Sequence, residues 1–188
     1  MKKENTLIKE CLGINRDIVY RKTTINDAYD IEYVAAHSWK ETYSGYMPRE
    51  YLENRIATIN DKIERAKNLL KSTNTYYVAE VNNKVVGILH YKESIDEKYK
   101  DYGYLESLYV LKDYQGLGIG KELFKIAIKA FIDLGYDNMY LECLQGNDAI
   151  NFYKKYGGKV IDTIDFPIRN FTVKADIVEF KNISNIII

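Results

Sequence analysis

Cysteine and proline occur only twice each in the 188 residues. Cys11 and Cys143 are far apart, with no CxxC pair and no histidine cluster beside them, which excludes a disulfide framework and a zinc site and points to a reducing compartment. No metal is therefore expected. No tract rich in proline, glycine and serine divides the chain, and no internal repeat or low-complexity run is present, so a division into domains has no support in composition. Charge excess is also missing: lysine plus arginine and aspartate plus glutamate stand at 27 each, so no net field draws the protein to nucleic acid or to an anionic membrane. No apolar run approaches the ~18 residues of a membrane span, and "MKKENTLIKECLG" lacks the apolar core of a signal peptide. The expectation is a cytoplasmic protein of one domain, 1–188 with a core of about 18–181, and a partner that is small or local.

What is present is a regular alternation of elements. "DIVYRKT" reads as a strand, and "NDAYDIEYVAAHSWKETY" as a helix with Ile31, Val34, Ala35 and Ser38 at helical spacing and Asn26 or Asp27 as its cap. Pro48 opens a second helical stretch, one helix or two, with Leu52, Ile56, Ile59, Ile63 and Leu70 on one face. "TYYVAEV" and "KVVGILHYKE" flank the dipeptide Asn82–Asn83 as a hairpin, and "YGYLESLYVL" is a further strand. A helix carrying Leu123, Phe124, Ala127, Ile128, Phe131 and Leu134 on one face ends at Gly135. "NMYLECL", the short helical "NDAINFYKKYGG", and a closing strand pair follow. The hairpin in the middle argues for a mixed α/β sheet rather than a doubly wound parallel one.

Between the strand ending at Leu111 and the helix after it stands "QGLGIGK", with Gly116, Gly118 and Gly120 inside five residues. A dinucleotide fingerprint fails, because its third glycine position is Lys121. A P-loop fails too: Gln115 stands where its first glycine belongs, and Glu122 where its Ser or Thr belongs. What remains is Q-x-x-G-x-G at a strand-to-helix junction. Amides of Leu117, Gly118, Ile119, Gly120 and Lys121 there point outward at a helix start, the helix dipole favours an anion, and the missing Cβ atoms permit close approach. A tight turn without a ligand would use the same glycines.

"LYVLKDYQGLGIGKELFKIAI", followed by "LECLQGNDAINFYKKYGGKVI" and, less specifically, "SWKETYSGYMPREYL", resembles the GNAT superfamily of N-acetyltransferases. The resemblance implies an α/β fold of about seven mostly antiparallel strands, splayed between the fourth and fifth and flanked by about four helices. It implies acetyl-coenzyme A as cofactor, with Gln115, Gly116, Leu117, Gly118, Ile119, Gly120 and Lys121 at its pyrophosphate. The main chains of Leu108 and Val110, flanking Tyr109, would pair with the pantetheine arm, and Asn147 and Tyr153 would contact the cofactor. The chain departs from the family pattern at Gly158, where many members carry phenylalanine, and in the short Asn147 to Tyr153 spacing.

The implied reaction is direct transfer of acetyl to a primary amine of a small molecule or peptide. Such a transfer requires a neutral amine, a polarised carbonyl and a proton for the departing thiolate. Cys143 has no base motif beside it, so direct attack is favoured over a cysteine relay. Val110 N–H is the candidate to polarise the carbonyl. Glu106, on the strand face of Leu108 and Val110 by alternation, is a candidate base or else an ion-paired glutamate, with His90 second. Tyr153 is the expected proton donor to sulfur, its hydroxyl at a helix edge while Phe152 and Tyr156 are buried. Trp39, Tyr43 and Tyr46 are candidate walls of the acceptor site, by stacking or cation–π contact, though Trp39 serves equally as a core anchor. A non-catalytic acyl-coenzyme A sensor is the alternative function. The apolar C-terminal "FKNISNIII" could cover a neighbour or its own sheet, leaving a homodimer open.

Overall fold

The computed structural model describes residues 18–187. Cys11, Asp17 and the N-terminal "MKKENTLIKECLG" lie outside the described residues. The elements are β1 (Val19–Lys22), α1 (Ala28–Tyr43), α2 (Arg49–Ala57), α3 (Ile59–Ser72), β2 (Tyr76–Val81), β3 (Lys84–Glu93) and β4 (Gly103–Val110), then α4 (Ile119–Asp133), β5 (Asn138–Leu144), α5 (Ala149–Lys155), β6 (Lys159–Ile168) and β7 (Phe171–Lys181). The seven strands run in the order β1-β2-β3-β4-β5-β7-β6. β4 and β5 pair in parallel, whereas β1–β2, β2–β3, β5–β7 and β6–β7 are antiparallel. No helix among the described residues is long and apolar enough to cross a membrane.

Two compact units make up the chain: the described part of Met1–His90 with Ser107–Phe124, and Tyr91–Glu106 with the described part of Lys125–Ile188. In the first, a helical turn at Ile25–Asp27 precedes α1 and is closed by a capping box, in which Thr24 N–H and hydroxyl donate to Asp27 Oδ2 at 2.6 and 3.0 Å. Asp27 is buried and also takes two hydrogen bonds from Arg21, at 2.9 and 2.7 Å. Burial raises the Asp27 pKa, but the Arg21 and Thr24 hydrogen bonds outweigh it and hold the carboxyl below its ordinary value. Ile31, Val34 and Ser38 of α1 are buried as expected, with Ala36 rather than Ala35 completing the face. The second helical stretch is two helices, the broken alternative, which makes five α-helices among the described residues. The break falls at Thr58, whose N–H and hydroxyl both turn back to the Asn54 carbonyl, at 3.0 and 2.7 Å. Asn82 and Asn83, with φ of 51° and 62°, close the expected β2–β3 hairpin. Gly87 on β3 lets α4 approach: a Cβ there would stand 3.1 Å from Ile119 and 3.2 Å from Leu123.

In the second unit, β7 lies between β5 and β6 and buries Ala175, Ile177, Val178 and Phe180. β6 is the edge strand, so Pro167 removes a donor where a missing ladder bond costs least. Leu134, expected on the apolar face of α4, is 59% exposed because it lies past the helix end, where Gly135 turns with φ +86°. Gly158 sits under a tight roof just before β6. A Cβ there would meet Phe180 at 2.7 Å, Val178 at 2.8 Å and the Tyr153 carbonyl at 2.9 Å, which excludes the larger residue many family members carry. The β4–β5 ladder holds only Gly103↔Met139 and Tyr104↔Tyr140, and this is the expected splay between the fourth and fifth strands. Along β4 Gly103 and Leu105 are buried, whereas every residue from Glu106 to Val110 is half-buried.

Candidate active site

The end of β4 and the loop after it are tied back on themselves. Leu111 N–H donates to the Val86 carbonyl at 2.9 Å, a single helical turn follows at Lys112–Tyr114, and Gln115 Nε2 donates to the Val110 carbonyl at 3.0 Å. Gln115 thus braces the loop against the strand it left. Gly116 and Gly118 have φ of +74° and +87°, the left-handed region that favours glycine, while Leu117 and Ile119 between and after them are buried anchors. The first donor within α4 is Glu122 N–H, to the Gly118 carbonyl at 3.1 Å, so the helix has no use for the preceding N–H groups of Ile119, Gly120 and Lys121. A Cβ built on Gly116 or Gly118 meets nothing within 4 Å. The glycines therefore turn the chain and leave room outside it, a cradle that fits a phosphate at a helix N-terminus. Gly120 is less constrained, its Cβ reaching only Val110 at 3.8 Å.

Leu108 and Val110 are half-buried rather than core. Gln115 occupies the Val110 carbonyl.

On the α1 side the aromatic residues form a cluster that sequence spacing only partly anticipates. Trp39 Nε1 donates to Tyr109 Oη at 2.9 Å, and its ring lies 5.2 Å from Tyr43 and 6.3 Å from Tyr51, edge-on to both. Tyr43 is buried beneath Trp39, while Tyr46 is 65% exposed, so of the three expected walls Trp39 and Tyr46 present surface. Arg55, on α2, lays its guanidinium 4.3 Å from the Trp39 ring and donates to Tyr51 Oη at 3.3 Å. Neither Arg55 nor Tyr51 was singled out from sequence, although their i,i+4 spacing is the one signal that joins them. His90 is buried and stacked on Tyr76 at 3.8 Å, the geometry of a packing residue.

The remaining candidates belong to the second compact unit. Glu106 Oε1 is ion-paired with Lys92 Nζ, so a proton taken by Glu106 must break or reorganise that pair. Lys92 also stands 5.4 Å over the Tyr104 ring, and Tyr104 Oη donates to Glu142 Oε2 at 3.2 Å. Burial raises the pKa of Glu142 although Tyr104 and Lys92 oppose it, and burial, then Glu142 and Glu106, push the Tyr104 phenol far above its ordinary value. Glu142 was missed in the sequence; its signal was a lone carboxylate in the alternation of "YLECL". Cys143 is buried and its thiol pKa is pushed up to about 11 by burial and by Asp176, which disfavours the thiolate a nucleophile needs. Asn147 Oδ1 accepts from Ala149 N–H at 2.9 Å in a local turn just before α5. On α5 the expected burial is inverted. Tyr153 is buried, with its ring 6.5 Å from Phe180, whereas Phe152 and Tyr156 are half-buried and edge-on to each other at 5.0 Å. The reason is the tight Gly157–Gly158 turn, which folds back on the Tyr153 carbonyl with Gly158 N–H at 3.0 Å.

The Acetyltransferase (GNAT) family matches residues 31–158, more than half of the chain. The chain belongs to the GNAT acetyltransferase family. As a GNAT member it is an acetyl-coenzyme A-dependent acetyltransferase, with acetyl-coenzyme A as its cofactor. It is 25% identical over 158 residues to the "Uncharacterized N-acetyltransferase YuaI" of Bacillus subtilis, covering 84% of this chain and 89% of that one. It is 29% identical over 155 residues to a spermidine N(1)-acetyltransferase of Thermoplasma acidophilum, covering 78% and 91%. Among solved structures, the PaiA N-acetyltransferase of Thermoplasma acidophilum in complex with coenzyme A superposes with a TM-score of 0.70 at 27% identity, covering 88% of this GNAT chain and 99% of that one.

Proposed function

We propose that this GNAT protein moves acetyl directly from acetyl-coenzyme A to a primary amine on a small molecule or peptide, as one domain of residues 1–188. The observation that carries direct transfer is the buried Cys143, whose pKa of about 11 leaves almost no thiolate at neutral pH. Three relatives bear names that place acetyl on nitrogen, the YuaI protein, the spermidine enzyme and an N-alpha-acetyltransferase of Sulfurisphaera tokodaii that is 32% identical over 99 residues. The one-domain reading is supported by the family match at 31–158, which runs through both compact units.

The amides from Leu117 to Lys121 hold the pyrophosphate, and the main chains of Leu108 and Val110 pair with the pantetheine arm. The cofactor supplies the activated thioester. Val110 N–H polarises the carbonyl, Glu106 accepts the proton of the amine, and the Tyr153 hydroxyl donates its proton to the leaving sulfur. The test is release of free thiol from acetyl-coenzyme A with primary amines, against alcohols and no acceptor. Amine-dependent release is expected. Tight coenzyme A binding with no release by any amine would overturn the reading and leave a sensor.

A further inference from the structure

Arg55 is held in place more firmly than it is neutralised. One face of its guanidinium lies 4.3 Å from the indole of Trp39, and Nη1 donates to Tyr51 Oη at 3.3 Å. Among the described residues no carboxylate pairs with it, and Glu53, a neighbour on the same helix, is taken by Arg49 at 2.7 Å. Lys62 brings a second cation to the same turn by donating to the Arg55 carbonyl at 3.2 Å. The Arg55 Nε is buried with no hydrogen-bond partner. An unsatisfied buried donor costs stability, and packing alone does not call for one. Stacking orients a guanidinium fork without consuming it, since among the described residues only one of its five N–H donors is hydrogen-bonded. The stack also has a direction. Trp39, under Arg55, donates to Tyr109 on β4, between Leu108 and Val110.

We infer that Arg55 is an anion receptor of the acceptor site, selecting a primary amine that carries a carboxylate, such as an amino acid or a peptide end, over a polycation. This rests on the proposed role of Leu108 and Val110 as the strand that holds the acetyl donor. A polyamine would approach an unneutralised guanidinium and be repelled, whereas a carboxylate would supply its missing counter-charge through charge-assisted hydrogen bonds.

The experiment compares acetylation of lysine with cadaverine and of ornithine with putrescine, pairs that differ by the carboxylate, in the wild type and in Arg55→Met, which keeps the apolar stem on Trp39. The quantity read is the ratio of kcat/KM within each pair and its change between the two proteins, in which the amines' own pKa values cancel. Loss of a charge-assisted hydrogen bond should lower that ratio by about 10- to 100-fold, chiefly through KM for the amino acid. Coenzyme A affinity should stay unchanged, and diamine kcat/KM should rise, because the guanidinium that repels a dication is gone. If Arg55→Met does not fold, Arg55→Lys carries the test, with a drop of at least about fivefold because lysine lacks the planar fork. An unchanged ratio overturns the inference, as does a wild type that acetylates the diamines and neither amino acid. Absence of thiol release with all four amines, while coenzyme A still binds, overturns the amine-acceptor function itself and this inference with it.

Discussion

Asparagine and aspartate at position 118 separate the shape of the cofactor loop from its charge. Gly118 has φ +87° and a Cβ built on it meets nothing within 4 Å, so the cost to the fold is backbone strain alone. For a non-glycine residue in the left-handed region that is about 1–2 kcal/mol, at the lower end for Asn and Asp. In a domain of this size each kcal/mol lowers the melting temperature by about 2–4 °C, so both unliganded variants should melt about 2–8 °C below wild type and close to each other. Coenzyme A should tell them apart. Both side chains enter the space an anion needs, but only aspartate adds a like charge. Two unit charges about 4 Å apart repel by ~1 kcal/mol in bulk water and ~4 kcal/mol at an effective dielectric of about 20. Gly118→Asp should therefore bind coenzyme A about 5- to 1000-fold more weakly than Gly118→Asn. Titration calorimetry on folded protein reads the difference, which should narrow in 1 M salt, where the screening length falls to about 3 Å. Equal affinities for the two variants, or wild-type affinity in either, would refute a phosphate at this loop.

Tyr153→Phe should cut kcat by ~10² to 10⁴, the usual worth of general acid catalysis, and leave coenzyme A affinity unchanged because the ring keeps its contact with Phe180; turnover at the wild-type rate removes the hydroxyl from the mechanism. Glu106→Gln should depress kcat most at low pH, where neutral amine is scarce, and an unaltered pH–rate profile in steady-state assays would move proton removal to water or to Glu142. Asp27, held below its ordinary pKa in the fold, contributes stability that is complete above the unfolded value of about 3.9 and is lost as pH falls through the lower folded value. Thermal melts of Asp27→Asn should accordingly start lower at pH 7, by about 1–3 kcal/mol for the lost charged hydrogen bonds, and decline less on acidification; parallel acid limbs for variant and wild type would show that Arg21 does not hold the carboxyl low.

The order of strands and helices was legible because it is written in short-range signals. The period of apolar residues, the Asn82–Asn83 turn and the glycines after β4 each act within a few positions. The helix break at Thr58 is also local, but its cause is a side chain returning to Asn54, which apolar spacing does not record. The tight glycine turn between β4 and α4 was legible as backbone geometry, whereas side-chain pairings between positions distant in sequence were not. Nothing in the period of β4 announces that Lys92 will meet Glu106, or that Tyr104 will meet Glu142 from 38 residues away. Tyr153 was placed at an edge by helical geometry alone, whereas its burial follows from a two-glycine turn that brings Gly158 against Phe180 and Val178.

Trp39 is the only tryptophan among 188 residues that include 18 tyrosines. Light at the red edge of the indole band, where phenols do not absorb, therefore excites one place in the molecule. That place has a guanidinium on the ring face and a phenol oxygen on the ring nitrogen, two neighbours that polarise the excited state. The protein thus carries its own emission reporter at the proposed acceptor side, where binding of an amine should register as a change of colour or quenching without a label or a coupled assay.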